Sequence, residues 1–179
     1  MRAAPAVVAA LAIAGCGGGG ENASLALPEA PEDITVRSPA FADGGAIPKR
    51  FTCDGDGDSP ALSWSGVPAQ ARELTLVVDD PDAGHYVHWT VTGIPPQTAS
   101  VAQGEEPKGG EELSNSAGDD GWTPPCPPKG DDEHRYLFAL YATDRPLGLG
   151  EDTSPDDVRR ALGERAIARG VLTGRFGRG

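Results

Sequence analysis

The sequence lacks any run of Lys and Arg residues, and this absence excludes the usual way in which proteins bind nucleic acid. Its 179 residues include 15 basic and 27 acidic side chains, so the formal net charge at pH 7 is −12. A protein that follows a phosphate backbone needs clustered positive charge. We therefore expect no nucleic acid partner.

Long hydrophobic runs and aromatic residues are also scarce. Aromatic side chains make up 6% of the chain, whereas glycine occurs 25 times and proline 17 times. This composition favours turns and short strands over a helical bundle or a coiled coil. The longest apolar stretch, within residues 3–14, holds about twelve apolar residues and is too short to span a bilayer.

That apolar stretch is typical of an export signal. It follows Arg2 and ends in Ala14 and Gly15, immediately before Cys16. Small residues before a cysteine resemble a bacterial lipobox, in which residues 1–15 are removed and Cys16 is lipidated. An ordinary signal peptide with an incidental cysteine, or a disordered tail, is the alternative. The lipobox interpretation predicts an exported lipoprotein, anchored on the outer face of the cytoplasmic membrane or in the cell envelope.

The residues that follow are typical of a flexible tether. Four consecutive glycines, two prolines and several acids occupy residues 17–33, with no apolar periodicity. We expect residues 16–33 to connect the lipid anchor to a single domain formed by residues 34–179.

The cysteine count agrees with export. If Cys16 carries lipid, Cys53 and Cys126 remain as an even pair, which predicts a disulfide in an oxidising compartment. Two free thiols that never meet are the alternative. The chain has no C-x-x-C motif, which argues against a redox enzyme or a cysteine-based zinc site.

Short β-rich runs alternate with Gly and Pro beyond residue 33, a pattern that predicts an antiparallel β protein. The predicted strands are Ile34–Val36, Ala61–Trp64, Glu73–Asp79, Tyr86–Ile94, Arg135–Ala142 and Val171–Phe176. Within Tyr86–Ile94, a period of two puts Val87, Trp89 and Val91 on one face and His88, Thr90 and Thr92 on the other. Apolar residues on both sides of Tyr136–Ala142 predict a central strand.

One helix is predicted near the C-terminus. Ser154 is a suitable N-cap, Pro155 fits the first helical position, and Gly170 can end the helix. Its apolar face, which includes Val158 and Ala166, is expected to pack against the sheet.

Three segments could carry chemistry, and together they resemble a known family. The segments are Asp80-Pro81-Asp82-Ala83, His88-Trp89, and Cys126-Pro127-Pro128-Lys129-Gly130 followed by His134-Arg135-Tyr136. Their order and approximate spacing resemble those of the phosphatidylethanolamine-binding proteins, and the bacterial Raf kinase inhibitor-like branch (the YbhB/YbcL family) is the closer match. The similarity extends over about residues 34–179.

The resemblance implies a mostly β, antiparallel β-sandwich-like fold with one C-terminal packing helix. It also implies a small pocket for an anionic ligand or a phospholipid headgroup. Carried over position by position, the ligand-binding residues are Asp80, Asp82, His88, Pro127, His134 and Tyr136.

The chemistry of these residues suits an anion site independently of the family. Protonated His88 and His134 can both donate hydrogen bonds to a phosphate. The neighbouring Asp80 and Asp82 are expected to raise the pKa of both histidines above 6.5 and to orient their rings. Tyr136 would add a neutral donor. The alternative is that the two histidines are merely half-buried strand residues.

We interpret the chain as a binding protein rather than an enzyme, with no cofactor and no bound metal. Two other functions remain open. One is an inhibitor that docks a protein partner, a kinase or a protease, through the pocket rim. The other is a metal-assisted hydrolase that uses the two histidines and an aspartate, although no HExxH or HxH motif occurs.

The lipobox interpretation predicts the effect of one substitution. Cys16→Ser removes the lipidation site, so the variant should leave the membrane fraction, and the domain from Ile34 onward should remain folded. The measurement is fractionation after a salt wash, with the parent protein as control. A variant that stays with the membranes would exclude lipidation at Cys16.

Overall fold

A computed structural model describes residues 24–179 of the chain, and it confirms the mostly β fold. The predicted signal and Cys16 lie outside the described residues. The elements are β1 Thr35–Arg37, β2 Gly45–Ala46, a 3-10 turn Lys49–Phe51, β3 Leu62–Ser65, β4 Glu73–Asp80, a 3-10 turn Pro81–Ala83, β5 Tyr86–Ile94, β6 Ser100–Val101, β7 Glu111–Leu113, β8 His134–Thr143, α1 Pro155–Arg165 and β9 Ala166–Phe176.

The strands form two sheets. The larger has six strands in the order β2-β9-β8-β4-β5-β7, and the smaller has three in the order β1-β3-β6. Every pairing is antiparallel except that of the short β2 with β9. Strand β8 lies between β9 and β4 in the large sheet, so the predicted central strand is confirmed.

Two apolar clusters organise the described residues into three layers. The larger cluster joins the two sheets and includes Val36, Trp64 and Phe138. The smaller joins the large sheet to α1 and includes Val77, Tyr141 and Leu162. The predicted packing of the helix against the sheet is therefore confirmed.

The helix begins where predicted but ends five residues early. The Ser154 side chain accepts a hydrogen bond from the Asp157 amide at 3.2 Å. The helix stops at Arg165, and Ala166 already belongs to β9, so the prediction of Gly170 as its end is wrong. Burial alternates along β9 with the period of a strand. A Cβ at Gly170 would lie 2.1 Å from the Ile34 carbonyl oxygen, so this glycine permits close approach of two backbones.

The last ten residues of the predicted tether, 24–33, contact the domain at several points. Leu27 packs against the smaller apolar cluster. The Tyr141 hydroxyl donates to the Pro28 carbonyl at 2.8 Å, and Arg169 donates to the same carbonyl at 3.1 Å. These are isolated anchoring contacts, which leave no periodic signal in the sequence. No helix in the described part of the chain is long and apolar enough to cross a membrane.

The predicted disulfide between Cys53 and Cys126 is present, with the two Cα atoms 5.4 Å apart. The Cys53 amide also donates to the Pro125 carbonyl at 3.1 Å. The bond thus fixes the Pro-rich segment 124–128 beside the turn that follows Phe51.

Removal of this bond should destabilise the fold. The bridge closes a loop with a sequence separation of 73 residues. Constraining such a loop in the unfolded chain contributes about 4 kcal/mol to the free energy of unfolding. We expect the Cys53→Ser/Cys126→Ser variant, measured by urea unfolding, to lose roughly this amount, and the reduced parent to match it. Two free thiols in the denatured, unreduced Cys16→Ser protein would contradict the bond.

Candidate functional site

The site is organised around the carboxylate of Asp80, which is 2% exposed at the end of β4. Its Oδ1 accepts hydrogen bonds from the backbone amides of Asp82 at 2.9 Å and Ala83 at 3.0 Å. Pro81 starts the 3-10 turn that directs these amides back to the side chain. Oδ2 lies 2.7 Å from His134 Nδ1 and 4.0 Å from His88 Nε2.

A β-bulge brings His88 to this carboxylate. Asp79 pairs with Val87 and Val78 pairs with Trp89, so His88 is an extra residue in β5. Val87 belongs to the helix-side cluster and Trp89 to the cluster between the sheets. The prediction that Val87 and Trp89 share one face, opposite His88, is therefore wrong, because the bulge interrupts the period of two.

Burial, rather than the nearby carboxylates, controls the charge of His88. Its side chain is 7% exposed, and desolvation lowers its pKa below the usual 6.5, against the opposing effects of the Thr123 carbonyl and Asp80. The expectation that the pKa of His88 lies above 6.5 is wrong, because the loss of solvation outweighs the effect of the neighbouring acids. Nδ1 lies 2.8 Å from the Thr123 carbonyl oxygen, so Nδ1 carries the proton and donates it. Nε2 is the atom that titrates.

His134 and Tyr136 lie on one face of β8, as predicted. The Tyr136 ring lies between the two imidazoles, with centroid distances of 5.2 Å to His88 and 6.5 Å to His134. Tyr136 is fully buried, and its hydroxyl has no hydrogen-bond partner among the described residues. Burial, reinforced by the negative Asp80 and Asp82, raises the pKa of this hydroxyl well above its usual value.

Asp82, another predicted ligand-binding residue, also pairs with Arg135. Arg135 donates to it from Nε at 2.9 Å, Nη2 at 2.7 Å and its backbone amide at 2.8 Å. The predicted Pro127 is buried. A cavity of about 480 Å³ adjoins His134 and Asp82, and residues 130–133 complete its wall.

The sequence interpretation gave no role to the loop that positions His88. The buried Asn115 donates to the Gly121 carbonyl at 3.0 Å and to Thr123 Oγ1 at 2.9 Å. The Thr123 amide donates to the His88 carbonyl at 2.8 Å. Together with the hydrogen bond from His88 Nδ1 to the Thr123 carbonyl, this contact links the loop to β5. A backbone carbonyl as partner of a histidine leaves no signal in the sequence, because any residue type supplies it.

The same groups are not arranged as a metal centre. Within residues 24–179, no set of three or more His, Cys, Asp or Glu side chains has the geometry to hold a metal ion. Both oxygens of Asp80 already accept hydrogen bonds from protein donors. What the arrangement offers is one buried hydroxyl and two imidazole Nε2 atoms beside a fixed carboxylate.

Fold and site together define a β-sandwich-like protein with a buried cluster of polar side chains at one end of its large sheet. A family model for "Phosphatidylethanolamine-binding protein" matches residues 37–177. The chain belongs to this family.

Several known proteins are similar over most of the chain. It is 42% identical to a Mycobacterium tuberculosis protein named "Putative lipoprotein LppC", over 93% of this chain and 90% of that relative. The solved structure of CT736 from Chlamydia trachomatis matches with a TM-score of 0.76 and 35% identity, over 83% of this chain and 99% of that one. The solved structure of E. coli YbcL, described as a new member of the mammalian PEBP family, matches with a TM-score of 0.76 and 28% identity, over 81% of this chain and 98% of that one.

The Asp82–Arg135 pair predicts a measurable titration. The side-chain hydrogen bond from Arg135 is the main reason that the pKa of Asp82 falls from 3.8 to about 2. Arg135→Gln should return this pKa toward 3.8, as measured by carboxyl ¹³C chemical shifts. A lowered carboxyl pKa stabilises the fold above pH 3.8 and loses that effect as the pH falls through about 2. Since the pair is largely exposed, the loss should stay below about 1 kcal/mol.

Arg145→Gln is the matched control, because Arg145 forms an exposed pair with Asp144 instead. The Asp82 pKa should stay near 2 in Arg145→Gln. An Asp82 pKa that also stays near 2 in Arg135→Gln would contradict the assignment of the shift to Arg135.

Proposed function

We propose that this chain is a non-catalytic binding protein whose pocket accepts a small anionic group, either a free phosphate or the phosphate of a phospholipid headgroup. The observation that carries the proposal is the buried Tyr136 hydroxyl, which lies near the Asp80 carboxylate but has no hydrogen-bond partner of standard geometry within residues 24–179. It lies in a ring cluster with His88 and His134, and both histidines face the Asp80 carboxylate.

An unpaired buried hydroxyl is costly. Leaving such a group without a partner costs about 1–3 kcal/mol, and native proteins rarely tolerate it. Since its raised pKa keeps the hydroxyl protonated, Tyr136 is suited to donate a hydrogen bond and poorly suited to act as a nucleophile. An acceptor oxygen of a ligand would satisfy the hydroxyl.

The protonation of the histidines fits a phosphate. Nδ1 of His88 and Nδ1 of His134 donate to protein oxygens, so Nε2 of each ring is left for a ligand. A neutral imidazole can accept a hydrogen bond from the P–OH of a phosphate monoanion, and an imidazolium can donate a hydrogen bond to the dianion. These two pairs, neutral imidazole with the monoanion and imidazolium with the dianion, carry the same number of protons. Because a phosphate ester has its second pKa at about 6, both forms are accessible near neutral pH.

Tyr136→Phe is the sharpest test. Loss of the hydroxyl should weaken binding of phosphate by roughly 2- to 12-fold, which corresponds to one hydrogen bond of about 0.5–1.5 kcal/mol. The ligand-free variant should be as stable as the parent or more stable, because it no longer buries an unpaired group. Calorimetry with inorganic phosphate and urea unfolding measure the two effects.

Tyr141→Phe is the matched control. Its hydroxyl donates to the Pro28 carbonyl at 2.8 Å on the other side of the large sheet, so its loss should lower stability and leave binding unchanged. Unchanged phosphate affinity in Tyr136→Phe would exclude Tyr136 as a donor to the ligand.

The affinity should also depend on pH. If the ligand favours protonated His88, affinity must rise as the pH falls through the bound-state pKa of this residue. Because burial holds its free-state pKa below 6.5, the affinity should continue to rise below that pH. Calorimetry between pH 5 and 8.5 with inorganic phosphate and with a phospholipid headgroup measures the effect. His88→Ala should flatten this dependence.

Two outcomes would favour the other functions. Binding that requires added zinc would support a metal-assisted hydrolase. No affinity for either phosphate compound at any pH would leave the pocket rim as a docking surface for a protein partner.

A further inference from the structure

A second buried carboxylate lies directly behind the pocket. Asp79 precedes Asp80 in β4, and since side chains alternate along a strand, it faces the helix side of the large sheet. Its side chain is fully buried and accepts from Arg159 Nη2 of α1 at 2.5 Å. Its other oxygen lies 2.9 Å from His85 Nδ1.

Arg159 holds the loop that follows β4 as well as the strand itself. Its Nη2 also donates to the His85 carbonyl at 2.7 Å, and its Nη1 donates to Asp156 at 3.0 Å. The guanidinium therefore joins the helix, the end of β4 and the end of the Pro81–His85 loop. It is 1% exposed, so water does not compete for these contacts.

The held loop is the one that orients Asp80. Its amides at Asp82 and Ala83 are the donors to Asp80 Oδ1. The loop ends with Gly84 at φ 68° and His85 at φ 64°, and His85 is the only non-glycine residue with positive φ in the described part of the chain. A histidine in this left-handed conformation is strained and persists only where surrounding contacts impose it. Arg159 supplies one contact to its carbonyl and Asp79 one to its ring.

We propose that Arg159 is a positioning residue for the anion pocket, acting through the sheet: it fixes the Pro81–His85 loop, and the loop in turn fixes Asp80 against His134. The proposal rests on the proposed function for its effect on ligand affinity. Its structural part, the alignment of Asp80 with His134, is independent of any ligand.

Stability alone does not explain this ion pair. A buried pair often stabilises a fold no more than apolar residues of the same volume. In addition, the buried Arg159 Nε atom has no hydrogen-bond partner among residues 24–179, so the arrangement is not optimised for hydrogen bonding. The planar guanidinium donates from Nη2 to Asp79 and the His85 carbonyl, and from Nη1 to Asp156. The single ammonium group of Lys cannot reproduce this geometry.

The experiment compares Arg159→Lys with the parent. The chain has three histidines, so the imidazole region of its NMR spectrum can be assigned completely. We expect the hydrogen-bonded Nδ1 proton of His134 to shift or to exchange with solvent in Arg159→Lys. Affinity for inorganic phosphate should fall about tenfold, the effect of one misplaced charge-assisted hydrogen bond. Arg160→Lys is the matched control, because Arg160 lies on the same helix in an exposed pair with Asp157.

If Arg159→Lys does not fold, the Asp79→Asn/Arg159→Met variant serves instead. It removes both charges, so no uncompensated ion is buried, and the same two losses are expected. A folded variant that keeps the parent His134 proton signal and phosphate affinity would overturn the proposal and leave Arg159 with a purely stabilising role. If the parent itself binds no phosphate, the proposed function fails, and the His134 signal alone decides the role of Arg159.

Discussion

Two adjacent buried carboxylates at the end of β4 are the constraint on which the rest of the site depends. An ionised carboxylate inside a protein needs compensating partners, because the loss of its hydration is costly. Asp79 and Asp80 face opposite sides of the large sheet, so each needs its own partners. On one side, α1 supplies Arg159. On the other, the next turn supplies two amides and β8 supplies His134. The helix and the pocket are thus both fixed to one dipeptide.

The secondary structure was largely predictable because it depends on repeating signals. Short β-rich runs bounded by Gly and Pro located β4, β5 and β8, and Ser154-Pro155 located the start of α1. The end of α1 was not predictable in the same way. Residues 166–170 can continue an apolar helical face, and the competing preference comes from the long pairing of β9 with β8. That pairing is a tertiary effect, which overrides local propensity.

The site was predictable by residue type but not by geometry. The motifs brought Asp80, His88, His134 and Tyr136 to attention, and the structure places these four together. The β-bulge that turns His88 toward Asp80 has no marker such as Gly in the sequence. The pairing of Asp82 with Arg135 was not predicted, because a carboxylate near a histidine gives no sign in the sequence of a second partner. The pKa of His88 depends on burial, and burial follows from the fold.

The proposed function requires the site to attract an anion within an acidic protein. The formal charge is −12, and Asp82 and residues 131–133 line the cavity beside His134. At physiological ionic strength, charges separated by more than about 8 Å are largely screened, so distant acids contribute little repulsion, whereas the acids that line the cavity would act directly on a bound ligand. Hydrogen bonds from Tyr136 and the two histidines act at contact distance, in a buried environment where screening is weak. Affinity can therefore arise from a few aligned donors, and it depends on the loop that keeps the Asp80 carboxylate in place.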